Sequence, residues 1–108
     1  MPADTLLIYC TCPDLKTAEE IAGQLVDDGL AACVNLVPGI VSIYQWQGER
    51  DRAEESLLLI KTSQPRYREL EKKIVTLHPY ELPEIIVVPV EQGLPGYLDW
   101  VKQCTTEK

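Results

Sequence analysis

The sequence is poor in the basic residues through which proteins bind nucleic acids and anionic membranes. Its 10 Lys and Arg residues are outnumbered by 17 Asp and Glu residues, which gives a formal net charge of −7. General binding to nucleic acid or to an anionic membrane depends on clustered Lys and Arg. We therefore expect no nucleic-acid partner. The acidic balance is compatible with cation binding and equally with simple solubility.

Long apolar runs are missing as well. No stretch approaches the roughly 20 apolar residues of a membrane span, and residues 1–7 have no basic segment or cleavage pattern typical of a secretory signal. The four cysteines, Cys10, Cys12, Cys33 and Cys104, have neither zinc-knuckle nor C-x-x-C spacing. The sequence thus predicts no membrane partner and a cytoplasmic protein whose thiols are reduced.

Familiar catalytic motifs are also absent. The chain has one histidine and shows no Ser-His-Asp order, phosphate loop or metal-hydrolase motif. We therefore predict a protein that is not an enzyme and has no organic cofactor, and an uncharacterised hydrolase is kept only as a third alternative.

The remaining composition is that of a small globular protein. With 108 residues, of which 45% are hydrophobic and 25% charged, residues 1–108 are expected to form a single domain. A core of that size is small enough that oligomerisation would add to its stability.

Apolar runs and turn residues predict four strands. They are residues Thr5–Thr11, Ala32–Trp46 with a bulge at Pro38-Gly39, Glu54–Thr62 after a polar turn at 47–52, and Ile85–Val90. The first strand is expected to be central in the sheet, and Ile85–Val88 to be buried on both faces.

Helical periodicity predicts three helices between and after these strands. The first is capped by Asp14, ends at Gly29 and buries Ala18, Ile21, Ala22, Leu25 and Val26. The second opens at Ser63-Gln64-Pro65 and buries Tyr67, Leu70, Ile74, Val75 and Leu77. A short terminal helix presents Leu94, Tyr97, Leu98 and Val101. The order β-α-β-β-α-β plus a final helix predicts an α+β, ferredoxin-like split βαβ fold.

The second and third strands are long for a small domain and are expected to form a hairpin that projects beyond its body. Such a ribbon would expose the apolar residues Ile40, Ile43, Tyr44 and Trp46. Because exposed apolar ribbons promote aggregation, we expect other subunits to cover it.

The single histidine lies in the segment 78–84, His-Pro-Tyr-Glu-Leu-Pro-Glu. Proline disfavours the α region for the residue before it, so a helix should end near His78 and a stiff connector should follow. His78 suits a copper or zinc site, but it fits equally well as a helix-end residue that satisfies a terminal carbonyl. Cys10 offers a soft thiolate or, alternatively, an inert buried thiol.

A set of short motifs, spread over residues 5–100, resembles the CutA divalent-cation tolerance family. The matching residues are Cys10-Thr11, Pro13-Asp14, Leu30–Asn35, Pro38-Gly39, Tyr44, Trp46, Gly48, Glu55, Lys61-Thr62, His78-Pro79-Tyr80, Pro83-Glu84, Gly93, Tyr97, Leu98 and Trp100. The resemblance implies a ferredoxin-like fold and a homotrimer built around the long hairpins. It also implies tolerance to copper and other divalent metal ions. Some relatives have a second histidine where this chain has Leu77, so a two-imidazole copper site is not expected here.

Two functions are therefore predicted. The first is a cytoplasmic trimer that binds a copper ion, or another divalent cation, through His78, Cys10 and Glu81. The alternative is a trimeric signalling module that binds a small organic ligand or a protein partner in clefts between subunits. The residues expected to line those clefts are Trp46, Lys61, Tyr80 and Glu84.

Overall fold

The computed structural model describes residues 4–106 and has the predicted order of strands and helices. The elements are β1 (Thr5–Cys12), α1 (Leu15–Asp27), β2 (Cys33–Trp46), β3 (Glu49–Ser63), α2 (Tyr67–Leu77), β4 (Ile85–Pro89) and α3 (Pro95–Cys104). A single 3₁₀ turn, Gln64–Arg66, precedes α2. None of the helices in this part of the chain is long and apolar enough to cross a membrane.

The four strands form one antiparallel sheet in the order β2-β3-β1-β4. β1 is central, and its Cys10 lies opposite Leu58 of β3 and Ile85 of β4. This order confirms the ferredoxin-like split βαβ prediction and the central position of the first strand.

Alternation along the strands gives the sheet two different faces. On one face, Ile8 and Cys10 are fully buried and belong to the hydrophobic core that includes residues of α1 and α2. The register places Tyr9, Ile86 and Trp46 on the opposite face. We call this opposite face the open face, because Ile86 and Trp46 are 53% and 45% exposed there.

The hairpin is longer than the sequence predicted. Its turn consists of Gln47 and Gly48 alone, with φ of 51° and 81°, so the predicted polar turn over residues 47–52 is wrong. Two-residue hairpin turns require positive φ at their central residues, which Gly48 accepts without strain. The polar residues after it pair as strand, and β3 begins at Glu49 instead of Glu54.

The predicted interruption of β2 is confirmed. Its register with β3 shifts between Val37 and Ile40, and Gly39 has a φ of 72°. Beyond this bulge the ribbon projects from the body of the protein. The whole molecule, ribbon included, has principal extents of 43 × 26 × 22 Å. Ile43, Tyr44 and Trp46 on the ribbon are exposed, as the sequence predicted, whereas Ile40 is half-buried.

α1 begins as predicted, whereas α2 begins at Tyr67 after the 3₁₀ turn and not at Ser63-Gln64-Pro65, and both helices bury fewer residues than expected. The Asp14 carboxylate accepts a hydrogen bond from the Thr17 N–H at 2.7 Å and caps α1. Val26 and Val75 are 44% and 55% exposed, so their assignment to the buried faces of α1 and α2 is wrong. Each lies next to a fully buried residue of its helix and falls at the margin of the apolar stripe.

One prediction for the last third of the chain needs similar correction. α1 and α2 pack against the other face of the sheet, so Ile86 and Val88 of β4, which lie on the open face, are exposed instead of buried. In α3 only Val101 is fully buried, whereas Leu94 and Tyr97 are exposed. Leu94 precedes the first turn of α3 as its N-cap residue.

Candidate metal cluster and adjoining cleft

The only histidine of the sequence lies at the end of α2. Its backbone N–H donates to the Ile74 carbonyl at 2.8 Å, and its ψ of 136° takes the chain out of the helix. Pro79 explains this ending, because proline disfavours a helical conformation in the residue before it. The imidazole of His78 is thereby turned into the protein, where the residue is 7% exposed.

Both ring nitrogens of His78 have hydrogen-bond partners. The Tyr80 N–H donates to Nδ1 at 3.1 Å, so Nδ1 accepts and the ring proton is on Nε2. Nε2 donates to the Thr11 carbonyl at 2.7 Å. The imidazole therefore joins the start of the connector to the end of β1 in a neutral form with a defined tautomer.

Two thiols lie beside this imidazole. Cys10 and Cys12 are two residues apart on β1, so they lie on the same face of the strand, and both are fully buried. The two sulfurs and a ring nitrogen of His78 lie within 4.8 Å of one another. We call Cys10, Cys12 and His78 the thiol–imidazole cluster.

The two thiols differ in acidity. Donation of the Cys10 S–H to Cys12, followed by burial, raises the pKa of Cys10. The same hydrogen bond lowers the pKa of Cys12 below its usual range and outweighs the opposing effect of burial. Cys12 is therefore the first of the pair to become a thiolate, which is the form of cysteine that binds metal ions.

The donor set of the cluster fits a soft metal ion. Thiolates favour copper(I) and zinc, and imidazole suits copper and zinc, whereas magnesium and calcium require oxygen ligands. His78 would have to give up one of its two hydrogen bonds to become a ligand. The cluster thus fits a copper-type ion held by two sulfurs, with the imidazole as a third donor.

A cleft of about 800 Å³ adjoins the cluster between the hairpin and the connector. It is lined by Thr11, Ser42, Ile43, Tyr44, Trp46, Asp51, Glu55, Tyr80, Glu81, Leu82, Pro83 and Glu84. Across its floor the Tyr80 hydroxyl donates to the Glu55 carboxylate at 2.7 Å. Burial, and then this hydrogen bond, raise the pKa of Tyr80.

The structure brings together some of the residues predicted for the site and separates others. Cys10 and His78 meet in the cluster, whereas Glu81 lines the cleft and is not one of the three converging donors. Trp46, Tyr80 and Glu84 line the cleft, as the alternative function requires. Lys61 does not line it. Its ammonium donates to the Asn35 side chain and lies 3.9 Å from the Cys33 sulfur.

Two residues of the site were not predicted from the sequence. Cys12 was not among the predicted metal ligands, although its spacing of two from Cys10 in a strand places both sulfurs on one face. Glu55 was not expected in the cleft, because a carboxylate near the start of a predicted strand gives no signal that it is 8% exposed and bonded to Tyr80.

Comparison with known proteins agrees with this architecture. The family model described as CutA1 divalent ion tolerance protein matches residues 6–104. The divalent-cation tolerance protein CutA of Thermus thermophilus is 44% identical over 99 residues, which are 92% of this chain and 96% of that protein. Protein CutA of Mus musculus is 46% identical over 105 residues, and the chain spans 59% of its length.

A solved structure, that of CutA from Xylella fastidiosa, has a TM-score of 0.94 and 46% identity to this chain. The match covers 96% of this chain and 100% of that one. Together with the family match, this similarity shows that the chain belongs to the CutA1 divalent ion tolerance protein family.

Proposed function

We propose that this divalent-cation tolerance protein acts by binding a copper-type ion at the thiol–imidazole cluster, as a binding protein without catalytic activity. The observation that carries the proposal is the convergence of the Cys10 and Cys12 sulfurs and a His78 nitrogen within 4.8 Å, all three residues being buried. Buried soft donors select copper(I) against the hard cations that are common in cells.

Each residue of the cluster has a separate part in this proposal. Cys12, whose pKa is lowered, supplies the first thiolate. Cys10 loses its proton as the ion binds, because metal ligands compete with protons. His78 exchanges one of its hydrogen bonds, to Thr11 or to Tyr80, for the ion. Since both thiols must be reduced, a reducing compartment such as the cytoplasm is part of the proposal.

A homotrimer is the second part of the proposal. The open face exposes Tyr44, Trp46, Ile86 and Val88, at 41%, 45%, 53% and 42%. Both edge strands, β2 and β4, contribute to this apolar surface. Contiguous exposed apolar surface on a small protein is typical of an interface, and further copies of the chain would cover it.

The copper site is tested by titrating the protein with copper(I) against a chromophoric copper(I) chelator. We expect Cys10→Ser and Cys12→Ser each to lower the copper(I) affinity by at least tenfold. Cys104→Ser is the matched control, because Cys104 is an exposed cysteine on α3 outside the cluster. Urea unfolding of every variant shows whether a lost affinity reflects a lost fold.

Equal losses of affinity for the cluster variants and for Cys104→Ser would show that copper binds adventitiously to any thiol. Unchanged affinity in a folded Cys10→Ser, Cys12→Ser double variant would place the metal elsewhere. Either result contradicts the proposed site.

The cleft favours a second candidate function, a signalling module that responds to a small organic ligand. A volume of about 800 Å³ is within the range of cavities that hold such molecules. Trp46, Tyr80 and Glu84 supply aromatic and polar contacts in it.

A further inference from the structure

His78 has one lone pair that a metal ion could use, and a backbone hydrogen bond already occupies it. In a neutral imidazole one ring nitrogen carries the proton and the other carries the lone pair. Here Nε2 donates its proton to the Thr11 carbonyl at 2.7 Å, and the lone pair of Nδ1 accepts the Tyr80 N–H at 3.1 Å. An ion that binds His78 therefore competes with Tyr80 for this lone pair.

The competition holds for either ring nitrogen. If Nδ1 is the ligand, the ion replaces the Tyr80 N–H, and Nε2 keeps its bond to the Thr11 carbonyl, which is a usual partner for the second nitrogen of a metal-binding histidine. If Nε2 is the ligand, the ring proton moves to Nδ1, where it faces the Tyr80 N–H. Two donors form no hydrogen bond, so Tyr80 loses its acceptor in this case as well.

Tyr80 is also the residue that holds the connector in place. Its N–H bonds to His78, its ring lies against the His78 ring with centroids 4.7 Å apart, and its hydroxyl donates to Glu55 at 2.7 Å. Among residues 4–106, the hydrogen bonds that join 79–83 to other segments are those of Tyr80. Loss of the bond to His78 therefore weakens the attachment of this whole segment.

We propose that an ion in the thiol–imidazole cluster displaces the Tyr80 N–H from His78 and releases the connector, so that occupancy of a buried site changes the protein surface. Glu81 and Leu82 carry the change to the surface, because both are exposed on the connector. The inference rests on the proposed copper-type site and names how its occupancy is communicated. It depends on contacts within one chain and applies equally to a single chain and to a homotrimer.

This competition has a consequence for affinity. Coupling between two binding equilibria is reciprocal, so a weaker hold on Tyr80 must make ion binding tighter. A residue that merely supported the site would behave differently, because its loss would weaken ion binding or leave it unchanged. The sign of the change in affinity therefore distinguishes the two roles of Tyr80.

The first test is copper(I) titration of Tyr80→Phe against a chromophoric copper(I) chelator. The variant keeps the N–H but loses the hydroxyl bond to Glu55, which stabilises the attached connector. We expect its copper(I) affinity to rise by about fivefold, the effect of one net hydrogen bond. Tyr67→Phe is the matched control, because it removes a tyrosine hydroxyl that donates to the carboxylate of Glu71, at 2.6 Å and outside the cluster. Unchanged or weaker copper(I) binding in Tyr80→Phe would overturn the proposal.

The second test compares amide hydrogen exchange in the metal-free and copper(I)-loaded protein, read from nitrogen–proton spectra. We expect copper(I) to speed the exchange of the Tyr80 amide by about fivefold. The His78 amide is the internal control, because it donates to the Ile74 carbonyl at 2.8 Å and should keep its exchange rate. Equal acceleration at both amides would show a loosened helix end instead of a released connector. An unchanged Tyr80 amide would show that His78 keeps its hydrogen bonds, and either result would overturn the release.

These outcomes separate the inference from the proposed copper site. Copper(I) binding that requires Cys10 and Cys12 but leaves the Tyr80 amide unchanged would overturn the release and leave a site held by two thiolates. Unchanged copper(I) affinity in the folded Cys10→Ser, Cys12→Ser double variant would contradict the site itself, and the release with it.

Discussion

The imidazole of His78 connects three parts of the chain, which are the end of α2, the connector and the end of β1. Its removal leaves the Thr11 carbonyl and the Tyr80 N–H without these partners. An unsatisfied buried polar group costs about 1–3 kcal/mol. We therefore expect His78→Ala to lower the free energy of unfolding by about 3 kcal/mol, measured by urea denaturation of the metal-free protein.

The control for His78→Ala is Leu82→Ala in the same connector. Leu82 is 72% exposed, so its truncation should change the free energy of unfolding by less than about 0.5 kcal/mol. If both variants lose the same stability, the connector as a whole is sensitive and the two hydrogen bonds of His78 have no special part.

The raised pKa of another residue, Tyr67, predicts how the free energy of unfolding changes at alkaline pH. Burial, and then the hydrogen bond from its hydroxyl to Glu71, raise the pKa of Tyr67 to about 12. The folded state therefore retains a proton that the unfolded chain loses near its ordinary pKa of about 10. The contribution of protonated Tyr67 to the free energy of unfolding is therefore fully present below pH 10 and is lost as the pH rises through about 12.

We expect the free energy of unfolding to fall between pH 10 and 12, and this fall to be smaller in Tyr67→Phe. The measurement is urea unfolding at a series of pH values, with the phenolate absorbance near 295 nm recorded in parallel. An identical slope for Tyr67→Phe and the original chain would contradict this account of Tyr67. Tyr80→Phe, which removes another tyrosine whose pKa is raised, provides the comparison.

Among the elements, the hairpin and α1 respond oppositely to the same substitution. Gly48 has a φ of 81° in the turn, where a side chain is strained by about 1–2 kcal/mol. Gly23 is in the interior of α1, and a Cβ added there meets nothing within 4 Å. We expect Gly48→Ala to lower the free energy of unfolding by about 1 kcal/mol and Gly23→Ala to raise it by about 0.5–1 kcal/mol, with the unfolding midpoint moving in the same directions. Thermal unfolding of both variants under one condition tests the pair, and a shift of the same sign in both would contradict the argument.

The same elements show how far sequence reasoning reaches. Local signals placed β1, the Asp14 cap, the bulge before Ile40 and the end of α2 at His78, because each depends on neighbouring residues. The start of β3 was missed because polar residues on an exposed ribbon do not alternate with apolar ones. The exposure of Ile86 and Val88 in β4 depends on which face of the sheet the helices cover, and short-range patterns do not contain that information.

The candidate site depends on longer-range geometry still. Thr11 and His78 are 67 positions apart, and only the folding of the connector onto β1 brings them together. Lys61 and Glu55 share the open face of β3 but are six residues apart, which is about 20 Å along a strand. This distance explains why Glu55 lines the cleft and Lys61, a predicted member of it, does not.

At the scale of the whole molecule, the exposed apolar residues of the open face predict a homotrimer. We expect sedimentation equilibrium at low micromolar concentration to give three times 12.2 kDa, the mass of one chain. Trp46→Ala should weaken this trimer, because large aromatic side chains dominate interface energetics. The control is Leu15→Ala, which removes a comparably exposed apolar side chain from α1 in the helical layer. A monomer for the original chain, or equal weakening by both variants, would contradict the proposed interface.

The sheet order also has a consequence for synthesis on the ribosome. β1 is made first, yet its neighbours β3 and β4 are complete only at Ser63 and Pro89. At about 5–20 residues per second, its apolar segment waits roughly 4–17 seconds for the last strand. The β2–β3 hairpin, by contrast, can close within about 1–10 µs once its turn has emerged. The nascent chain therefore carries a finished ribbon and a central strand that lacks its β4 partner for seconds, and in that interval it depends most on chaperones.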